Sequence, residues 1–250
     1  MIKLFRKIRQ KMLTENKFSK YLIYAIGEIA LVMIGILLAL QVNNWNEARI
    51  EKNLTDDIIL NYIKDLRNNA VYLERRKLTM EKDLKFINQI TERLNSSVLL
   101  SDTLKKIALY QFSPIYYAFT ELKNDTYISL VSNNQLRLVP DNLSTQMINI
   151  SFRMNDLTKT QESVGEFYRH NLSEYSFQYP MPMDNSLYSN KENELLWESF
   201  DKNKLMLAFQ GIVFTKKAGY TSLLPRADSL LVKIDAVIAD IESSFPHTIN

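Results

Sequence analysis

From Tyr21 to Val42 the chain runs for 22 residues with a single charge, Glu28. No other feature restricts the fold as much. As a helix rising about 1.5 Å per residue, the run is about 33 Å long, against a bilayer hydrocarbon core of about 30 Å. A secretory signal has a shorter apolar region, about 7–15 residues, followed by a small-x-small cleavage site. Here the run leads into Leu40-Gln41-Val42-Asn43-Asn44-Trp45, which offers no such site. The pattern predicts a transmembrane signal-anchor helix over 21–42. The alternative is a buried core helix of a soluble protein.

Charge sets the expected orientation. The chain carries a net +3, but residues 1–20 alone hold seven Lys/Arg against Glu15, a net +6. The basic character therefore belongs to the tail, which argues against a nucleic-acid-binding domain. Only Arg49 and Lys52 follow closely after the span. The positive-inside rule then places 1–20 in the cytoplasm and 43–250 beyond the membrane. Phe18 and Tyr21 at one end and Trp45 at the other are the expected interfacial anchors. Within the tail, Ile2, Phe5, Ile8 and Met12 recur at helical spacing between basic residues. This suits an amphipathic helix on an anionic leaflet, or a disordered basic tail that only fixes orientation.

Glu28 lies about 4–5 Å from the span's midpoint near Leu31 on the helical rise. A charge there costs on the order of 2.5–3.5 kcal/mol on insertion scales, unless the carboxylate is protonated. At about 100° per residue, Tyr24, Glu28, Gly35 and Ala39 fall on one stripe. Gly35-x-x-x-Ala39 is a small-xxx-small pair, so another helix can approach closely and a protonated Glu28 can hydrogen-bond across the contact. The stripe is the candidate membrane-helix interface, with a second copy or another membrane protein as partner. The alternative is a tolerated polar residue in a helix that anchors regardless.

The stretch "ENKFSKYLIYAIGEIALVMIGILLALQVNNWNE" resembles the N-terminal signature of an uncharacterised family of single-pass bacterial membrane proteins, a domain of unknown function. Phe18-Ser19-Lys20-Tyr21, Ala25-Ile26-Gly27-Glu28, Ile34-Gly35-Ile36 and Asn43-Asn44-Trp45-Asn46-Glu47 carry the resemblance, which is specific over roughly residues 1–50. "ELKNDTYISLVSNNQLRLV" (121–139) is similar in layout to another segment of that family. The resemblance implies the inner membrane of Gram-negative bacteria and a mostly helical outside region. It implies no activity and no catalytic residues.

Beyond Trp45 the pattern predicts an all-α fold. Ile59, Ile63, Leu66, Ala70, Leu73, Lys77, Met80, Leu84, Ile87, Thr91 and Leu94 alternate spacings of four and three, a heptad seam. One helix from near Asn43 to Asn95 is expected. Its seam pairs either with a second chain or with later helices of its own; Lys77 and Thr91 at core positions favour the latter. A shorter helix capped by Asp102 follows, and Pro114 is read as starting another that reaches Ser132. Thr126–Val139 is read as helix and turn, with a β-hairpin around Asn133-Asn134 as the alternative. A helix from Asp141 or Asn142 to about Asn171, an irregular 174–190, and two last helices near 191–223 and 226–244, parted by Pro225, complete the reading. Only three glycines follow the span, which suits an all-α domain with few tight turns.

No chemistry is encoded in a recognisable motif. Cysteine is absent, so disulfides and thiolate sites are excluded. No Gly-rich phosphate loop, G-x-S-x-G or H-E-x-x-H occurs. His170 reads as a surface or capping residue, and the pairs Asp56-Asp57 and Glu192/Glu194 read as solvated faces. The expectation is no catalytic residue, no cofactor, no metal and no enzymatic activity. "EYSFQYPMPMDNSLY" (174–188) is either a partner-binding loop or a cap on the bundle's end. Two functional classes remain: a membrane-anchored structural, assembly or partner-binding protein, and a ligand-sensing periplasmic ectodomain signalling through a membrane partner. Only about 20 residues precede the span, too few for a cytoplasmic output domain, which favours the first.

Overall fold

A computed structural model describes residues 18–96, 98, 100–181 and 190–249. Residues 1–17 of the basic tail and residues 182–188 of the Met- and Pro-containing loop fall outside the described residues. The described elements are all helical: α1 (Phe18–Ser96), α2 (Leu100–Lys106), a π-helical turn (Ile107–Gln111), α3 (Asp125–Ser132), a 3-10 turn (Leu136–Leu138), α4 (Asp141–Gln178), α5 (Asn190–Ser199), α6 (Lys202–Ser244) and α7 (Pro246–Ile249). Among the described residues there is no strand, so 126–139 is helix and turn. Asn134 supplies the turn's left-handed residue, φ 53°, a conformation asparagine tolerates better than most residues.

The chain divides into two compact units, Met1–Asp57 and Ile58–Asn250. In the first, α1 is apolar around its circumference over residues 22–42 apart from Glu28 and Gln41, and its large apolar side chains there are exposed. Leu22, Ile29, Leu31, Ile36, Leu37 and Val42 are 50–72% exposed. By length and composition, α1 is the one helix among the described residues able to cross a membrane.

The second unit is a bundle of three long helices. The predicted seam is its core on the α1 side: Ile59, Leu66, Met80 and Ile87 are wholly buried, and Ile63 and Leu73 nearly so. The seam thus packs within the chain. Ile58, Tyr62, Asn69, Tyr72 and Ile90 are buried beside it, widening the stripe beyond the a/d seam of a two-stranded coiled coil, as a bundle helix requires. Arg67 reaches Glu242 at 2.6 Å and Lys77 reaches Asp228 at 2.7 Å, so α1 and α6 run antiparallel. Gln146 donates to Asp240 at 2.9 Å and Arg226 to Asp156 at 3.3 Å, so α4 is also antiparallel to α6. The ion pairs among these, at the surface, fix register more than they stabilise.

Three expected boundaries differ. α4 continues to Gln178, because Tyr175 is 3% exposed and holds the extra turns against the bundle. The break between the last helices falls at Phe200-Asp201, where Asp201 caps α6 by accepting from the Asn203 and Lys204 amides. Pro225 lies inside α6. A mid-helix proline costs about 3 kcal/mol, yet Leu223, Ala227 and Leu230 on the same helix stay within 1% of full burial, and Arg226 reaches back to the Ser222 carbonyl at 2.9 Å. Burial of several large side chains at about 1.5–3 kcal/mol each outweighs the defect.

The third difference matters most for the site. From Phe112 to Asn124 the chain is a strap that is neither helix nor strand, and helix begins only at Asp125. Pro114 starts no helix there.

Candidate functional site

Backbone partners hold only the ends of the strap, at Phe112 and Asn124, and side chains from the three long helices supply partners between them. Asn69 pairs with Lys123 through both groups, its amide donating to the Lys123 carbonyl at 2.7 Å and its oxygen accepting the Lys123 N–H at 2.8 Å. Gln161 does the same at Phe119, accepting its N–H and donating to its carbonyl. The Tyr72 hydroxyl accepts the Thr120 N–H at 2.8 Å. Asp65 takes the hydroxyl of Thr126 at 2.6 Å, just past the strap. An unpaired buried backbone group costs about 1–3 kcal/mol, so these side chains, Asn69 and Gln161 being 1% and 9% exposed, are what permit non-helical chain here.

Under the strap lies a closed charge network. The Lys216 ammonium donates to Asp83 Oδ2 at 2.6 Å and to the Ser113 carbonyl at 2.7 Å. The Tyr220 hydroxyl donates to the same Asp83 oxygen at 2.8 Å and accepts the Tyr117 N–H at 3.1 Å. Lys216 also faces the Phe112 ring at 5.3 Å and the Tyr220 ring at 5.8 Å. Its side chain is wholly buried and that of Asp83 nearly so. Burial pushes the Lys216 ammonium below its ordinary range, and the hydrogen bond to Asp83 opposes that. Burial pushes the Tyr220 and Tyr168 hydroxyls well above theirs.

Beside this network Tyr116 is sandwiched between Tyr168 and Tyr220, each ring centroid 5.2 Å away. Gly219 makes room for it. A Cβ on Gly219 would come within 3.1 Å of two Tyr116 ring carbons, with the hydroxyl closer still, whereas one on Gly165 would lie in ordinary contact with the ring at 3.8 Å and 3.3 Å from the Arg169 guanidinium. The buried positions of α4 and α6 shift register at this level: Leu157, Gln161 and Gly165 are spaced by successive fours, as are Ile212, Lys216 and Tyr220. Such a stutter locally unwinds the packing, and the strap's tyrosine occupies the space. The Tyr116 hydroxyl is buried without a partner, and burial pushes its pKa up to about 12.

The arrangement fastens three helices and a strap together. Sequence reasoning missed it, although one signal was legible. Lys216 stands in the buried stripe Leu205, Phe209, Ile212, Tyr220, Leu223, a lysine where apolar residues are expected.

The predicted site residues lie elsewhere. Phe18 and Tyr21 belong to α1, but their side chains fall outside the described ones. Tyr24 is 38% exposed and Glu28 half-buried, both with interactions in the structure. Gly35 and Ala39 are exposed, and a Cβ on Gly27 or Gly35 would meet nothing within 4 Å. Trp45 is 64% exposed, with the Arg49 guanidinium 5.7 Å above its ring. His170 is a surface residue, 68% exposed and 3.5 Å from Glu174. Among the described residues no group of three or more His, Asp or Glu could hold a metal ion.

A second concavity lies in the same unit. An open cleft of about 930 Å³ runs between the end of α1 (Thr91, Leu94, Asn95) and α6, with Phe209, Val213 and Phe214 in its lining.

The fold and these sites define an all-helical protein with one helix able to span a membrane and a bundle closed around a stitched strap. The chain belongs to a family of unknown function (DUF6090), whose model matches residues 28–196, more than half of the chain. The matched residues take in Glu28, Gly35 and Trp45 along with the strap. No curated protein and no solved structure matches the chain.

Proposed function

We propose that this is a single-pass inner-membrane protein, N-terminus cytoplasmic, whose periplasmic helical domain (43–250) is a structural, assembly or partner-binding element and not an enzyme. One observation carries the reading: the apolar residues from Leu22 to Val42 that α1 leaves uncovered on every side. Burying them in lipid recovers about 25 cal/mol per Å² of apolar surface. The net +6 of residues 1–20 supports the orientation. The enclosure of Asp83, Lys216 and Tyr220, each bonded to the others or to the strap, supports a structural role for the bundle's ionisable groups. The Tyr24/Glu28/Gly35/Ala39 stripe is the surface through which a second copy or another membrane protein would join.

The test is a pair of reporters fused after Asn250. Alkaline phosphatase, active only in the periplasm, is expected to be active there and a cytoplasm-only fluorescent reporter dark. The reverse pattern would overturn the topology.

A further inference from the structure

The cleft between α1 and α6 lies outside the anchor and the charge network, and its floor is tied to the strap through Phe209, which packs edge-on against Phe112 at 5.3 Å. Phe209, wholly buried, and Val213, 8% exposed, are the deepest of its lining residues, with Leu94 from α1 and Phe214 from α6 nearer the surface. Because α1 and α6 run antiparallel, Asn95 and Gln210 mark one end of the cleft and Lys217 and Thr221 the other. Among the described residues the Lys217 ammonium has no carboxylate partner, as is true of Lys64, Lys82, Lys85, Lys204 and Lys233 on the same two helices, but Lys217 is the lysine that lines the cleft. Lys217 is thus an unneutralised cation beside an apolar trough. The volume, about 930 Å³, lies in the range of about 300–1,000 Å³ typical of small-molecule sites. From Lys217 to Gln210 is seven residues, about 10 Å along the helix.

The geometry points to a binding site for a medium-chain fatty acid, carboxylate on Lys217 and acyl chain laid over Phe214, Val213 and Phe209 toward Gln210. A charge-assisted hydrogen bond fixes the head, and burial of the methylenes holds the chain. This inference goes beyond the proposed function and does not depend on which side of the membrane the bundle occupies.

The experiment uses the full chain in phosphatidylcholine nanodiscs, photolabelled with a diazirine-bearing decanoate and mapped by peptide mass spectrometry. Saturable labelling of peptides covering 91–95 and 209–222 is expected, competed by decanoate and not by decylammonium. Lys217→Gln should weaken competition by decanoate about ten-fold, the loss of one charged hydrogen bond. Gly211→Leu should abolish labelling while leaving circular dichroism and melting unchanged, because a Cβ at Gly211 meets nothing within 4 Å and projects at the cleft. Labelling confined to 18–57, equal competition by decylammonium, or parental labelling of Gly211→Leu would each overturn the assignment. So would crosslinking of the cleft to a second copy or another protein at the expense of the fatty acid.

Discussion

Residues 22–42 and 58–94 belong to one helix and are both rich in large aliphatic side chains, yet they solve opposite problems. In the first stretch Leu31 is 72% exposed and Leu37 61%; in the second Leu66 and Met80 are wholly buried. The difference is arrangement. Apolar residues at every position of a helix leave no polar face to turn outward, so the whole circumference requires an apolar surrounding. Apolar residues at alternating fours and threes leave charged residues free on the other face, and α4 and α6 cover the stripe.

The comparison breaks most sharply at the buried charge network. Lys216→Met removes the partner of Asp83 and leaves a carboxylate in a site only 9% exposed. The expected loss is about 3–5 kcal/mol in chemical denaturation of the bundle. Adding Asp83→Leu should restore part of it, since an apolar pair leaves no uncompensated charge. A double variant as unstable as the sum of the two single ones would argue against a coupled pair.

Truncation of equivalent leucines sharpens the contrast between the two stretches. Leu66→Ala should cost about 2–5 kcal/mol by creating a cavity. Leu37→Ala should leave the denaturation midpoint of the bundle unchanged. Equal destabilisation by both would mean that residues 22–42 are core after all.

A smaller effect is expected at the tyrosine sandwich. Gly219→Ala drives a methyl into the Tyr116 ring and should cost about 1–3 kcal/mol, as overpacking does. Tyr116→Phe in that background should recover part of the loss, because it removes a buried hydroxyl that has no partner. Thermal unfolding of the four-member cycle checks this, and strict additivity would place the strain elsewhere.

The smallest effect belongs to the membrane stripe. Glu28→Leu is expected to weaken helix association only several-fold, since interhelical hydrogen bonds in membranes average about 0.6 kcal/mol and reach about 1.7. Glu28→Gln should be milder, and Gly35→Leu should act through steric bulk. Association of residues 1–50 in a bacterial-membrane reporter assay, with crosslinking in native membranes, provides the readout. Parental association of all three variants in both would make Glu28 a tolerated residue.

By itself the sequence determined the helical class, the apolar run and the seam from Ile59 to Leu94, because each depends on the local period of apolar residues, which any short window displays. It also marked the turn at Asn133-Asn134 through the residue type. What only the tertiary structure decided is the state of 112–124 and of Pro225. Pro114 looks like a helix start until Asn69, Tyr72 and Gln161 offer the backbone other partners, from positions 42 to 54 residues away in sequence. Pro225 looks like a break until the side chains around it are buried. Both outcomes turn on groups distant in sequence that satisfy or bury what the local chain cannot, and no local window contains them.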